Sequence, residues 1–167
     1  TNAHVVAGVT QQQIVTTTAG QRLDATVVFY DPQVDVAVLY VPGLNLSPLH
    51  FAGQANPGDS AVVAGYPLDA TRLHAVPARI GGIQNAQGPN IYQTATVTRQ
   101  IYEIRATVES GNSGGPLLAS DGTVYGVVFA AAVGVDDTGF ALTAAQVHAD
   151  AQAGEHSTTA VSTMNCD

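Results

Sequence analysis

The sequence predicts an all-β fold, arranged as barrels or as a sandwich, with one helix near the C-terminal end. Apolar and polar residues alternate along most of the chain, which is the period of a half-buried strand. Turn signals built from Gly, Pro, Asn and Asp recur about every eight to twelve residues, as is typical of short antiparallel strands. The 167 residues are enough for one domain or for two small lobes that share a site.

The N-terminal third contains a predicted hairpin followed by a short buried strand. Residues 11–18 are polar and β-branched, a turn follows at Ala19-Gly20, and alternating residues then run from Arg22 to Tyr30. These segments predict a β-hairpin. The nearly continuous apolar run 35–41 predicts the next strand, and residues 42–48 are predicted to form a loop.

The remaining strands are predicted in two sets, followed by one helix and a tail. The strands cover residues 60–66, 72–84, 91–107, 116–119, 124–133 and 140–142. Loop 85–90 is predicted to separate the second of these strands from the third. The helix is predicted over Ala144 to Ala153, with Thr143 as its N-cap and Gly154 after it. Residues 157–163 are predicted to be a tail.

The composition excludes several classes of function. With 46% apolar and 11% charged residues, the chain is not predicted to be disordered. Its 13 acidic residues face five arginines and no lysine, and a net charge of −8 disfavours binding to nucleic acid or to an anionic membrane surface. No window approaches the roughly 18 to 20 apolar residues of a membrane span. No His/Cys cluster has zinc spacing, so no zinc site is predicted.

The segment from Glu109 to Pro116, with the sequence ESGNSGGP, carries most of the chemical information. A nucleophilic serine needs a tight turn that exposes its hydroxyl, and it needs backbone N–H groups that converge on the developing oxyanion. Glycines on both sides of Ser113 permit such a turn because they tolerate positive φ. The segment therefore predicts a reactive serine, and the alternative is an ordinary Gly-Ser turn between two strands.

A serine nucleophile also needs a base and a carboxylate that orients the base. His4 is the histidine in a recognisable setting, TNAHVV, and Asp35 opens the apolar strand that follows the hairpin. A carboxylate at that point is partly buried and needs a partner. Asp31 competes for this role, but with Pro32 it is typical of a turn. The other histidines are predicted to be surface or loop residues: His50, His74, His148 and His156.

Taken in order, T-x-A-H at Thr1 to His4, D-V-A-V-L at 35–39 and G-N-S-G-G-P at 111–116 resemble the chymotrypsin-like serine proteases. The resemblance is greatest to the bacterial trypsin-like branch that includes the HtrA (Deg) proteases, and it covers Thr1 to about Ala145. The alanine-rich, lysine-free composition is similar to that of the membrane-anchored periplasmic members of this family in mycobacteria and related actinobacteria.

The resemblance implies two six-stranded antiparallel barrels and a role for each motif residue. His4 would be the general base, Asp35 would orient it, and Ser113 would form the acyl-enzyme. The backbone amides of Gly111 and Ser113 would form the oxyanion hole. The implied function is that of a serine endopeptidase acting on protein or peptide substrates without a cofactor.

The resemblance also locates the pocket for the side chain that precedes the scissile bond. Three stretches would line it: 106–109, 129–131 and the region of Gly139-Phe140. Its base is Thr107 or Val108 rather than an aspartate, so we expect a small to medium apolar preference and not Arg or Lys. Phe129 either narrows this pocket or is a core aromatic. The predicted substrate-binding residues are Thr107, Val108, Phe129, Ala130 and Ala131.

The resemblance further implies sequence outside this chain, since the family places about two strands before the histidine and three residues precede His4 here. We expect residues 1–55 to be the remainder of the N-terminal barrel, residues 56–143 the C-terminal barrel, and residues 144–167 the helix and tail, all in one protease domain. The missing N-terminal segment is an expected partner. Cys166 is expected either to bridge to that segment or to be an unpaired thiol.

The remaining expectations concern location, assembly and alternatives. The protein is expected to be periplasmic or otherwise extracytoplasmic, tethered to the membrane by an N-terminal part, and monomeric without a PDZ domain. One alternative is a catalytically inactive protease-fold fragment that acts as a binding or scaffold module. An esterase of the α/β-hydrolase type is disfavoured because the order here is His, Asp, Ser.

Overall fold

The computed structural model describes residues 1–9 and 13–165. Cys166 lies outside the described residues, so its expected disulfide stays a prediction. Within the described residues, the chain forms nine strands and one helix. The elements are β1 (Gln13–Thr16), β2 (Arg22–Asp31), β3 (Val36–Tyr40), β4 (Ser60–Gly65), β5 (His74–Pro89), β6 (Thr96–Arg105), β7 (Pro116–Ala119), β8 (Val124–Ala131), β9 (Thr138–Thr143) and α1 (Ala144–Glu155).

Six of the strands close into an antiparallel barrel in the order β4-β5-β6-β9-β8-β7. Closure leaves no unpaired strand edge, and the small aliphatic side chains that alternate along each strand fill the interior. The expected all-β, chymotrypsin-like fold with one C-terminal helix is confirmed. The barrel core consists of Ala55, Ala61, Val63, Ala78, Ile80, Tyr102, Ile104, Ala106, Leu117, Val128 and Ala141.

Strands β1, β2 and β3 form a separate three-stranded antiparallel sheet, which we call the N-terminal sheet. Its own cluster of buried apolar residues is small and contains Val6, Val27 and Ala37. Helix α1 covers part of the sheet through contacts with β3 and β2. The predicted boundary between residues 55 and 56 falls in the segment between β3 and β4, and it stays a prediction.

Helix α1 begins as the sequence predicts and ends slightly later. The Thr143 hydroxyl accepts a hydrogen bond from the Gln146 N–H at 3.1 Å, which caps the helix. Gly154 lies inside the helix and not after it. A Cβ at Gly154 would lie 2.6 Å from Cβ of Val38 in β3, so the absence of a side chain lets the helix approach the N-terminal sheet.

The hairpin of β5 and β6 differs from the prediction, since the predicted loop 85–90 is largely strand. Asn85 to Pro89 pair with residues 96–100 of β6, and cross-strand pairing overrides the turn-forming composition of this stretch. The turn lies at residues 90–95 instead. There, the Asn90 side chain accepts the Thr94 N–H at 3.0 Å, and Gln93 adopts a positive φ of 55°.

The C-terminal tail is irregular, as predicted, but it packs against the N-terminal sheet and the segment that precedes it. The Val161 N–H donates to the Val27 carbonyl at 3.0 Å, and the Gly8 N–H donates to the Thr163 carbonyl at 3.1 Å. The buried Thr163 hydroxyl donates to the Val9 carbonyl at 2.9 Å. In the described part of the chain, no helix is both long enough and apolar enough to cross a membrane.

Candidate active site

His4 and Asp35, which lie 31 positions apart in the sequence, are in direct contact. The Nδ1 atom of His4 lies 2.8 Å from Oδ2 of Asp35, and the backbone N–H of His4 donates to Oδ1 at 2.9 Å. With the carboxylate on the Nδ1 side, the neutral imidazole carries its proton there and leaves Nε2 free to accept one. Asp35 is buried, whereas the His4 side chain is 38% exposed and can be reached by a substrate.

A strained turn places the Asp35 carboxylate. Asp35 has a φ of 72°, in the left-handed region that few residues other than glycine adopt. Its N–H donates to the Asp31 carbonyl at 3.0 Å, and the Asp31 carboxylate accepts the N–H groups of Gln33 and Val34 at 2.7 and 3.2 Å. Asp31 is therefore the residue that caps this turn, in agreement with its predicted role, and it leaves Asp35 to face His4.

Asn2 also holds Asp35, although the sequence analysis assigned it no role. Its side chain is fully buried, and its Nδ2 donates to the Asp35 carbonyl at 2.9 Å. The two segments are also joined by Thr1 and Ala37, which exchange two backbone hydrogen bonds of 2.9 and 3.1 Å. The only sequence signal for Asn2 was its place two residues before His4.

The turn that carries Ser113 is shaped by its glycines. Gly111 and Gly114 have φ values of 97° and 81°. The Gly114 N–H donates to the Val128 carbonyl at 2.9 Å, which fixes the turn on the barrel. The backbone N–H groups of Gly111 and Ser113 have no acceptor among the described residues, and two such free donors are what an oxyanion hole requires.

The serine turn also lies too close to β4 and to the segment after it for most side chains. A Cβ on Gly111 would collide with the Tyr66 carbonyl, and a Cβ on Gly115 would collide with the Ala64 carbonyl. Asn112 is buried beside Gly65, and its Nδ2 has no acceptor in the part of the chain that the structure describes. These contacts explain why glycine recurs in this segment.

The two halves of the site meet where Thr1 contacts Gly114. A Cβ on Gly114 would collide with the Thr1 side chain, so the His4 segment lies directly on the serine turn. No hydrogen bond joins His4 to Ser113 within residues 1–9 and 13–165. Such contacts are often long in unliganded enzymes and shorten when a substrate binds, so the absence of this hydrogen bond does not exclude His4 as the base for Ser113.

Four of the five residues predicted to bind substrate lie in one region. Val108 lies against Gly139, since a Cβ on Gly139 would collide with its side chain. Ala131 of β8 pairs with Gly139 of β9. Ala130 pairs with Phe140 beside them. The Thr107 hydroxyl donates to the Asp137 carboxylate at 2.5 Å. Asp137 was missed by the sequence analysis because it lies 30 residues away in a surface turn.

Phe129 lies apart from this group. A register shift between Val128 and Ala130 interrupts the pairing of β8 with β9 at this residue. The Phe129 side chain packs instead on a second apolar cluster, formed by Val36, Ile101, Leu142 and Val147 between the barrel, the N-terminal sheet and α1. Of its two predicted roles, the placement fits the core aromatic.

Two charged residues lie behind the Asp35 turn. The Arg99 Nε atom in β6 donates to the Gln33 carbonyl at 2.8 Å and so ties the barrel to that turn. Burial lowers the pKa of Arg99, while the carboxylates of Asp35 and Asp31 oppose the shift. In α1, burial and, secondarily, the charge of Asp31 raise the pKa of Asp150 to about 6.

The other histidines lie away from these residues. The His148 ring contacts Phe51 edge-on, with 5.9 Å between ring centroids. His74 begins β5, His156 caps the end of α1, and the His50 carbonyl accepts the Val124 N–H. Among the described residues, no group of three or more His, Cys, Asp or Glu side chains could hold a metal ion.

Comparison with protein families gives a match to the family described as "Trypsin-like peptidase domain" over residues 1–127. The chain is 51% identical over 150 residues to the serine protease Rv3671c of Mycobacterium tuberculosis. This alignment covers 88% of this chain and 37% of that protein. It is 36% identical over 129 residues to a "Probable periplasmic serine endoprotease DegP-like" of Chlamydia pneumoniae, covering 76% of this chain and 25% of that protein. The chain thus spans about a third or less of the length of these relatives.

Solved structures give the same relationship. The active form of the Rv3671c protease superposes with a TM-score of 0.94 at 46% identity, covering 99% of this chain and 72% of that one. An inactive form of the same protease superposes with a TM-score of 0.80 at 49% identity, covering 92% of this chain and 77% of that one. The HtrA-type protease AlgW gives a TM-score of 0.78 at 26% identity, with coverages of 93% and 48%.

Proposed function

The chain belongs to the trypsin-like peptidase domain family, and from that premise we propose that it is a serine endopeptidase with His4, Asp35 and Ser113 as its catalytic triad. The observation that carries the proposal is the buried Asp35 carboxylate held 2.8 Å from Nδ1 of His4. It leaves Nε2 as the free basic atom on a half-exposed side chain beside the serine turn. The free N–H groups of Gly111 and Ser113 add support, since they are the donors this chemistry needs.

In the proposed reaction, the Ser113 hydroxyl attacks the scissile carbonyl carbon while Nε2 of His4 accepts the hydroxyl proton. The carbonyl oxygen becomes an oxyanion and accepts hydrogen bonds from the Gly111 and Ser113 amides. When the C–N bond breaks, protonated His4 gives its proton to the leaving amine, and Ser113 retains the acyl group. Water then attacks the ester with His4 again as base, which releases the acid and restores Ser113.

The alternative is an inactive protease fold that serves as a binding module. The higher TM-score with an active form of a relative, 0.94 against 0.80 for an inactive form, favours the enzyme. The test is labelling with a fluorophosphonate probe, which reacts with activated serines, alongside cleavage of a casein substrate. We expect the protein to react and the Ser113→Ala variant not to react. Equal labelling of both, or labelling of neither, would favour the binding module.

We further propose that the residue before the scissile bond is small to medium and apolar. Thr107, Val108, Ala130 and Ala131 would line that pocket, and none of them is charged. The exposed Asp137 carboxylate beside Thr107 favours a second candidate, a basic residue held at the pocket rim. A peptide library varied at this one position separates the two. A preference for apolar residues that persists in Asp137→Asn supports the apolar pocket. A preference for Arg or Lys that is lost in Asp137→Asn supports the basic residue at the rim.

We also propose that the protein is extracytoplasmic and monomeric. The name of the Chlamydia relative as a periplasmic endoprotease supports the location. The membrane tether, a retained N-terminal segment and a bridge from Cys166 belong to the same proposal. Cell fractionation tests the location, light scattering tests the monomer, and mass measurement before and after reduction tests the bridge. A free Cys166 thiol in oxidising conditions would contradict the disulfide.

A further inference from the structure

A groove lies between the tip of the N-terminal hairpin and the segment that follows β4. We call it the arginine groove. One wall consists of residues 16–18 and Gly20, and the other consists of Tyr66 and residues 70–73. The groove encloses about 620 Å³, which is room for several side chains. It lies between the N-terminal sheet and the segment that follows β4 of the barrel.

The groove adjoins the serine turn. The Tyr66 carbonyl lies against Gly111, whose Cβ position it would block. The Leu68 N–H donates to the Ser110 carbonyl at 2.7 Å. A hydrogen bond and a close backbone contact therefore join the wall of the groove to the serine turn that carries the proposed oxyanion hole.

Among the described residues, the groove shares no lining residue with the proposed pocket for the residue before the scissile bond. In the region of that pocket, Val108 lies against Gly139 of β9. A substrate that places its scissile carbonyl at Ser113 extends from that point in two directions, as the acyl side and the leaving side. With the residue before the scissile bond at Val108, the groove beside Tyr66 offers room for the leaving side of the substrate.

The groove carries a positive charge, on Arg72, in a protein that is acidic overall. The net charge is −8 and only five arginines are present. Arg79 and Arg99 are engaged with the carbonyls of Gly58 and Gln33, each at 2.8 Å. Arg22 and Arg105 are exposed but do not line the groove. Arg72 is exposed and makes no hydrogen bond or ion pair with any described residue, including the exposed Asp69 of the same segment. Its guanidinium is available to a ligand.

We propose that the arginine groove binds the substrate segment C-terminal to the scissile bond, and that Arg72 selects an Asp or Glu side chain there. This inference rests on the proposed function. A guanidinium recognises a carboxylate through two parallel N–H···O hydrogen bonds. The threonine hydroxyls of the walls supply further donors, and the exposed side chains of Leu68 and Leu73 offer apolar contact to neighbouring residues.

The test uses fluorogenic peptides with one common acyl side and either Glu or Gln at each of the first four positions after the scissile bond. We expect kcat/KM to favour Glu about threefold to fivefold at one of these positions, as for an exposed ion pair. The ratio should fall to about one in Arg72→Ala and below one in Arg72→Glu. Arg79→Ala, which removes the same charge outside the groove, should retain the wild-type ratio. Added salt should lower the preference.

A second arm measures binding without cleavage. In the Ser113→Ala background, a labelled Glu peptide should bind more tightly than its Gln counterpart, and Arg72→Ala should abolish the difference. If the Glu and Gln peptides are cleaved equally well, or if a preference for Glu survives Arg72→Ala, the groove proposal is overturned while the proposed function stands. If no peptide is cleaved and the fluorophosphonate does not react, the proposed function fails, and the binding arm still decides whether Arg72 recognises acidic peptides.

Discussion

The barrel and the N-terminal sheet each contribute half of the candidate site, but they are stabilised in different ways. The barrel is closed and encloses a cluster of eleven buried residues, and it holds the serine turn through backbone contacts with β4 and β8. Among the described residues, the N-terminal sheet has three strands, and the buried cluster beside it contains three residues. Its position depends on contacts with α1, the C-terminal tail and Arg99.

The difference shows that different interactions hold the proposed nucleophile and its base in position. Packing inside a closed barrel orders the Ser113 turn, so its shape depends on many small contacts. Directional hydrogen bonds order the His4-Asp35 pair, so its geometry depends on a few specific atoms. Substitutions in the barrel should therefore act mainly on stability, and those beside His4 mainly on activity.

The largest effect should come from Asp35→Asn. An asparagine amide keeps the shape but favours the wrong tautomer of His4, so kcat should fall by about 10⁴-fold while the fold is retained. Peptide cleavage and circular dichroism measure the two quantities. As a control, Asp31→Asn changes the same turn without touching His4 and should cost far less activity. Nearly full activity in Asp35→Asn would refute the role of this carboxylate.

The next effect tests stability in the two regions. Leu117 is fully buried in the barrel, and Leu117→Ala should lower the free energy of unfolding by about 2 to 5 kcal/mol. Val27→Ala in the N-terminal sheet removes fewer atoms at a less enclosed position and should cost less. Urea unfolding measures both. An equal or larger loss for Val27→Ala would mean that the sheet is the better packed region.

A smaller effect should follow from Asn2→Ala. This substitution removes the hydrogen bond to the carbonyl of Asp35, whose backbone is in the left-handed conformation. We expect kcat/KM to fall about tenfold as the carboxylate loses its fixed position, with a loss of about 1 to 2 kcal/mol in the free energy of unfolding. Asn2→Asp is the matched variant, since it keeps the shape but lacks the N–H donor and adds a charge near Asp35. It should be at least as impaired. Full activity in Asn2→Ala would show that the turn holds Asp35 unaided.

The smallest effect concerns pH and helix α1. The pKa of Asp150, about 6, lies above its usual value, so the folded state binds a proton more tightly than the unfolded state does. Stability should therefore rise as the pH falls from about 7 to about 4, and Asp150→Asn should remove that dependence. Thermal melting across this range measures it. Glu155→Gln, in the same helix, should keep the wild-type dependence, and an unchanged slope in Asp150→Asn would exclude Asp150 as the cause.

Much of the fold could be predicted because its signals are local. Alternating residues predicted most strands to within a few positions, Thr143 predicted the start of α1, and the glycines around Ser113 predicted its tight turn. The prediction failed at residues 85–90, where Asn, Gln and Gly suggest a turn. Pairing with β6 stabilises a strand there, and such pairing depends on residues distant in the sequence.

What the sequence determined by itself was the chemistry that is available: a histidine, an aspartate and a glycine-flanked serine, in the order of a known family. Tertiary structure decided how those groups are held. The support of Asp35 by Asn2, the position of Asp137 beside Thr107 and the groove around Arg72 each join segments that are far apart along the chain. Residue patterns report preferences within a few positions, whereas these contacts exist only after the chain has closed its long loops, so no local pattern encodes them.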